Sequence, residues 1–242
     1  MLVSHRHKFI FTKTFKTAGT TIEHYFEPYC LPDELKTTGA QDQEIVSTEG
    51  IVGKRGTVGK RHRWHAHMSA AQIKEQLELS QWESYTKFSI VRNPFDKMVS
   101  AYFFLLKLKE SQGTLTGLKN RIKVLLGRND SLPPGSHEDH RINFRNWIKG
   151  GAHFNDDVVY QIDGQSILDY TMQYEHLQEH LEELCSLLRV PYEANRLKTL
   201  KSGYRSKAFS IDELYDDESI ALVAERYSGL IHRFGYSFPR EG

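Results

Sequence analysis

Cysteine is nearly missing from this chain: Cys30 and Cys185 are the two among 242 residues. They lie far apart and lack metal-ligand spacing, which argues for a reducing compartment and against a disulfide framework. Net charge is missing too. Thirty-two Lys and Arg stand against 31 Asp and Glu, leaving +1, so the field of the whole molecule predicts neither nucleic acid nor membrane as a partner. No apolar run approaches the roughly 18 residues a membrane span needs, and the opening Met-Leu-Val-Ser-His-Arg-His-Lys lacks a signal-peptide layout. A cytoplasmic location is the expectation. Repeats and linkers are absent, so the chain reads as one domain, 1–242, long enough for a well-buried α/β core.

Acidic residues vanish locally. From Ile51 to Lys74 there is none, while Lys54, Arg55, Lys60, Arg61, Arg63 and Lys74 are basic. From Ala194 to Ile211 they vanish again, leaving Arg196, Lys198, Lys201, Arg205 and Lys207. Such stretches are either solvated loops or surfaces for an anion, and a phosphate-binding motif elsewhere would favour the second.

What is present is an alternation of strands and helices. Lys8–Thr12 and Tyr85–Val91 are short β-rich apolar runs, and 166–174 is a third candidate strand. Ser69-Ala70-Ala71-Gln72 has the layout of a capping box. Asn93-Pro94 starts a helix with Asn as N-cap and Pro at the first helical position. Leu177, Leu181, Leu184 and Leu188 mark another helix, and 217–228 one more. Residues 116–126 read as helix, 127–138 as a surface loop or lid, and 31–63 mostly as loop. This order predicts an α/β fold, a central parallel sheet flanked by helices in three layers.

Two segments carry phosphate chemistry. Lys16-Thr17-Ala18-Gly19-Thr20-Thr21 lies between a strand and a helix. Successive N–H groups in such a turn, with the positive end of the helix, make a nest for an anion. Gly19 permits close approach, Thr20 and Thr21 offer hydroxyls, and Lys16 a mobile charge. It is not a Walker A loop, whose lysine follows the last glycine; here the lysine comes three positions before it. The second segment runs from Val91 to Tyr102. It places Arg92 at the end of a strand and Ser100 two turns into the next helix, at the sheet edge where α/β proteins bind ligands. An arginine forks onto phosphate, and a serine adds a hydroxyl donor.

The pairing of these segments resembles the two donor-binding elements of the sulfotransferases that use 3′-phosphoadenosine-5′-phosphosulfate (PAPS), in the branch of carbohydrate and uronyl 2-O-sulfotransferases and their bacterial relatives. The resemblance implies a P-loop-like fold. It also implies that Lys16 through Thr21 hold the 5′-phosphosulfate, while Arg92 and Ser100 hold the 3′-phosphate. It extends through Tyr174-Glu175-His176-Leu177 to Phe234-Gly235-Tyr236, and it places Ser202 and Arg205, with Lys201 beside them, in a loop over the 3′-phosphate. Two departures stand out: Phe15 where proline commonly precedes the lysine, and residues 153–165, which lack the branch's His-x-x-Pro-Gln-type acceptor segment.

Trp64-His65-Ala66-His67-Met68-Ser69 holds two histidines with no third ligand in view, so no metal is expected. The segment looks like the base-bearing His-x-His-x-[Ser/Thr] of that branch, which makes His67 the implied base and His65 its helper. An alcohol needs a base to become nucleophilic, and imidazole titrates in the right range. The expected reaction moves a sulfuryl group from PAPS to a hydroxyl of a small-molecule or saccharide acceptor, leaving 3′,5′-adenosine bisphosphate. The alternatives are a P-loop kinase, a non-catalytic nucleotide-binding module, and a nucleic-acid-binding protein, for which no aromatic RNA-binding signature is present.

Overall fold

The computed structural model describes residues 1–56, 62–111, 139–197 and 209–240. The expected 116–126 helix and 127–138 lid, Lys60 and Arg61, and Lys201, Ser202 and Arg205 lie outside them. Two compact units are present, one of residues 1–91 with 156–200, the other of 92–155 with 201–242.

The first unit is built on a six-stranded sheet of order β3-β4-β1-β2-β5-β8. Its strands are β1 (Leu2–Ser4), β2 (Phe9–Phe11), β3 (Ile45–Val46), β4 (Gly50–Val52), β5 (Thr86–Val91) and β8 (Tyr170–Gln173), while the short helix α6 (Asp157–Tyr160) leads into a separate ladder of β6 (Gln161–Ile162) and β7 (Gln165–Ser166). β2, β5 and β8 run parallel, with Phe11 opposite Phe88 and Phe88 opposite Tyr170. The other half is antiparallel, β1 lying between β2 and β4. The expected parallel sheet is thus one half of a mixed sheet. β3 and β4 fall inside 31–63, which the sequence presents as mostly loop, because strands of two and three residues leave no measurable period.

Side chains alternate across this sheet as period 2 requires. Leu2, Phe9, Phe11, Val52, Phe88, Ile90 and Met172 face one core with Ile22, Tyr25 and Phe26 of α1 (Gly19–Phe26) and Leu181 and Leu184 of α7 (Leu177–Leu187). Val3, Ile10 and Ile51 face a second core with Ile73 of α2 (Ala70–Gln76) and Trp82 of α3 (Leu79–Ser84). A sheet covered on both faces needs continuous apolar runs, which is why Phe9-Ile10-Phe11 has no polar member. The capping box of α2 is formed: Ser69 Oγ accepts from Gln72 N at 3.2 Å and Gln72 Oε1 from Ser69 N at 3.1 Å.

The second unit is helical in its described residues: α4 (Pro94–Ser111), α5 (His140–Lys149), α8 (Ile211–Leu214), α9 (Asp217–Arg226) and α10 (Ser228–Phe234). Tyr102 meets Phe144 and Trp147, and Phe144 meets Tyr215, with ring centroids 5.4, 5.8 and 4.8 Å apart. Two arginines satisfy helix-end carbonyls. Arg145 donates to Leu214 and Tyr215, and Arg226 to Ile148 and Ala152, groups a helix C-terminus leaves unpaired.

Candidate active site

β2 and β5 end at the same edge of the sheet, and the chain leaves β2 through the 12–18 turn into α1. The turn is stitched to β5 by Thr12 N–H on Phe88 O at 3.0 Å and Ser89 Oγ on Thr12 O at 2.7 Å. Thr14 Oγ1 donates to Ile90 O, and Thr14 and Thr17 hydroxyls lie 2.8 Å apart. A hydroxyl has one proton. Since Thr14 gives its own to Ile90, Thr17 must donate to Thr14, so the buried Thr17 side chain is spent inside the turn. What Thr17 offers outward is its backbone.

Lys16 and Ala18 sit in the left-handed region at φ 57° and 62°. Neither is glycine, and each such residue costs about 1–2 kcal/mol. Left-handed residues at alternate positions turn neighbouring N–H groups to one side, the arrangement of an anion nest. No side chain caps α1, whose N-cap is Ala18. An uncapped helix start carries partial positive charge that an anion can neutralise.

Beneath the turn lies a lysine that the sequence reading did not select. Lys13 is buried, and its Nζ donates to Thr20 Oγ1 at 3.0 Å and to Glu23 Oε2 at 2.5 Å. An ammonium only donates, so Thr20 accepts there and its own proton is directed away from Lys13, at an exposed position of the turn. Arg55 Nε reaches the same Glu23 oxygen at 3.1 Å, Met1 N lies 2.6 Å from Glu23 Oε1, and Arg55 also pairs with Glu27. Burial raises the Glu23 pKa, but the Met1 ammonium, Lys13 and Arg55 overcome it and hold the carboxyl far below its usual range. Thr20 and Glu23 share one face of α1, and Glu27 follows at its C-cap. Arg55 comes from the first acid-free stretch and is buried. Arg196, from the second, stacks 4.9 Å over Tyr25 and 5.3 Å over Tyr29. Part of that local basicity therefore serves packing.

His67 meets this turn. Its Nδ1 lies 2.9 Å from Lys13 O, and a carbonyl only accepts, so Nδ1 carries the proton and Nε2 holds a lone pair. Burial first, then the Lys13 charge, pushes its pKa well below the usual histidine value, so the ring is neutral at neutral pH. Its backbone is left-handed at φ 60°. His65 turns its Nδ1 to Ala66 O at 2.9 Å, and its own N–H to Met68 Sδ. The two imidazoles share no hydrogen bond or ring contact. Asp156, which no motif suggested, accepts the Phe15 N–H at 3.0 Å. Among the described residues no group of three or more His, Cys, Asp or Glu is arranged to hold a metal, and no helix is long and apolar enough to cross a membrane.

In the second unit, Asn93 caps α4 as its position suggests: Oδ1 accepts Phe95 N–H at 3.1 Å and Nδ2 donates to Ser237 O at 2.8 Å. Arg92 directs Nε to Asp96 Oδ2 at 2.7 Å, and a second guanidinium nitrogen bonds the same oxygen. Asp96 and Ser100 are four residues apart on α4, so the Arg92–Asp96 pair and Ser100 share a helix face.

A family model described as the sulfotransferase family matches residues 1–237. No curated protein and no solved structure matches the chain.

Proposed function

The chain belongs to the sulfotransferase family, and from that premise we propose that it moves the sulfuryl group of PAPS to a hydroxyl of a small-molecule or saccharide acceptor, with His67 as general base. The tether of His67 Nδ1 to the Lys13 carbonyl supports this most directly, because it joins the base to the anion-binding turn and leaves Nε2 as the proton acceptor.

In this reading the N–H groups of the 16–21 turn, the Thr20 hydroxyl and Lys16 receive the 5′-phosphosulfate, with Ala18, Gly19 and Thr21 shaping the turn. His67 Nε2 takes the acceptor's proton as the acceptor oxygen bonds to sulfur. The bond from sulfur to the 5′-phosphate oxygen breaks, and the charge left on that oxygen is stabilised by Lys16 and the turn. Arg92 and Ser100 are assigned to the 3′-phosphate because their own segment matches the family pattern. Ser202 and Arg205 are assigned there on the same ground, and His65 is kept as a helper. Sulfuryl transfer involves less charge than phosphoryl transfer and needs no metal.

Calorimetry with 3′,5′-adenosine bisphosphate, followed by transfer assays with PAPS and panels of alcohols and saccharides, tests the reading. Indifference to the nucleotide would overturn it. Preference for ATP with Mg²⁺ would favour a kinase, and binding without transfer to any acceptor a non-catalytic module. Lys16→Ala is expected to lower turnover about 10²–10⁴-fold, comparable to loss of a catalytic acid or base.

A further inference from the structure

Phe15 lies flat on His67. The ring centroids are 3.9 Å apart and the planes 10° from parallel. Phe15 is buried, while His67 is partly exposed. The Phe15 N–H is in turn fixed on Asp156 Oδ1. We propose that Phe15 is a positioning residue for His67, its ring setting the plane of the imidazole while the Lys13 carbonyl sets its edge.

The argument is geometric. One hydrogen bond through Nδ1 fixes a point on the imidazole but leaves the ring free to swivel about the N···O line. The Nε2 lone pair would then sweep an arc. A flat partner in van der Waals contact removes that freedom, and a base must be held within about 0.5 Å and 10–20° of its productive geometry. His67's backbone is left-handed, a conformation that non-glycine residues adopt only under outside constraint. Its ring is held by two residues of one turn, Lys13 and Phe15. Asp156 completes the chain by keeping Phe15 where the stack requires it. The choice of Phe at 15 thereby acquires a purpose that a smaller ring could not serve with the same overlap.

The inference rests on His67 being the base, and the experiment separates the two. Phe15→Leu keeps an apolar side chain but not the stack; Phe15→Tyr restores it. The charged groups acting on His67 are Lys13, Glu23 and the Met1 amino group, and all remain in both variants. The His67 titration, read by NMR of ring-labelled histidine and assigned with His67→Gln, needs no turnover. Phe15→Leu is expected to move that titration to higher pH, to lower kcat roughly 10–100-fold as for a small misplacement of a reacting group, and to leave the KM for PAPS unchanged. Phe15→Tyr should recover both. An unchanged titration in Phe15→Leu overturns the positioning role, as does a loss of kcat that Phe15→Tyr fails to restore. Normal turnover in His67→Gln sinks the base assignment instead, while the titration still reports whether Phe15 holds the ring.

Discussion

Lys13 passes so close beneath Gly19 that a Cβ at position 19 would lie 2.8 Å from Lys13 Cγ. Real Cβ contacts are not that short, and Lys13 cannot swing aside without releasing Glu23, to which its Nζ is bonded. Glycine is needed here for space, since Gly19 is an ordinary helical residue and not one at positive φ. Gly19→Ala should therefore destabilise the protein by about 1–3 kcal/mol, the usual range for overpacking. It should also weaken nucleotide binding by displacing the turn. Thermal melting and calorimetry check the two effects, and an unchanged melting temperature would show that Lys13 has room to move.

The depressed His67 pKa fixes the sign of two pH effects. The ring is neutral and competent down to below about pH 6.5, the free-histidine value. Turnover should then be flat above that value, with its acid limb displaced below it. The unfolded chain, in contrast, takes up a proton near pH 6.5. The stability linked to a neutral His67 is present above that pH and lost as pH falls toward the folded pKa. His67→Gln should flatten this part of the stability profile, measured as the difference from the parent, and lower turnover about 10²–10⁴-fold. A parent profile as steep as the variant's would contradict the shift.

The two threonine hydroxyls of the turn should behave differently. Thr17→Val removes a bond to Thr14 inside the turn and is expected to cost about 1 kcal/mol of stability with little loss of nucleotide affinity. Thr20→Val removes a hydroxyl directed outward and should weaken 3′,5′-adenosine bisphosphate binding roughly tenfold, as for a hydrogen bond to a charged group. Equal effects of both changes on affinity would mean that the proton accounting is wrong.

Arg92→Met tests the 3′-phosphate assignment. Affinity for 3′,5′-adenosine bisphosphate should fall roughly 10–100-fold, and the preference for it over adenosine 5′-monophosphate should disappear. Retained discrimination would remove Arg92 from the 3′-phosphate site and leave it a partner of Asp96.

Local signals in the sequence were the ones that could be read. Asn93-Pro94 and Ser69 with Gln72 announce their helices because cap and capped group lie within three residues. The α5 helix carries such a signal as well, with Phe144, Trp147 and Ile148 on one face behind an Asp139 N-cap. β3 and β4 left none. The charge network was out of reach for a different reason. It joins Lys13, Glu23 and Arg55, and nothing in residue order says that a glutamate will meet an arginine 32 positions away. The same holds for the His67–Lys13 bond, which spans 54 positions. Motif resemblance could nominate His67 and Lys16, yet only the folded chain supplies the partners that set a tautomer or the direction of a hydroxyl proton.

Lys13 touches both halves of the proposed chemistry, its carbonyl on the imidazole and its ammonium on Thr20. Under the proposed function, proton and anion are then thermodynamic partners. An anion seated at the turn would offset the Lys13 charge, which is second to burial in keeping His67 from protonating, so the imidazole would become more basic when the donor arrives. Reciprocity demands the converse, tighter donor binding as the solution is acidified through the His67 titration. The lysine would then strengthen the base as its substrate binds, and titrations with and without bound nucleotide would measure that coupling.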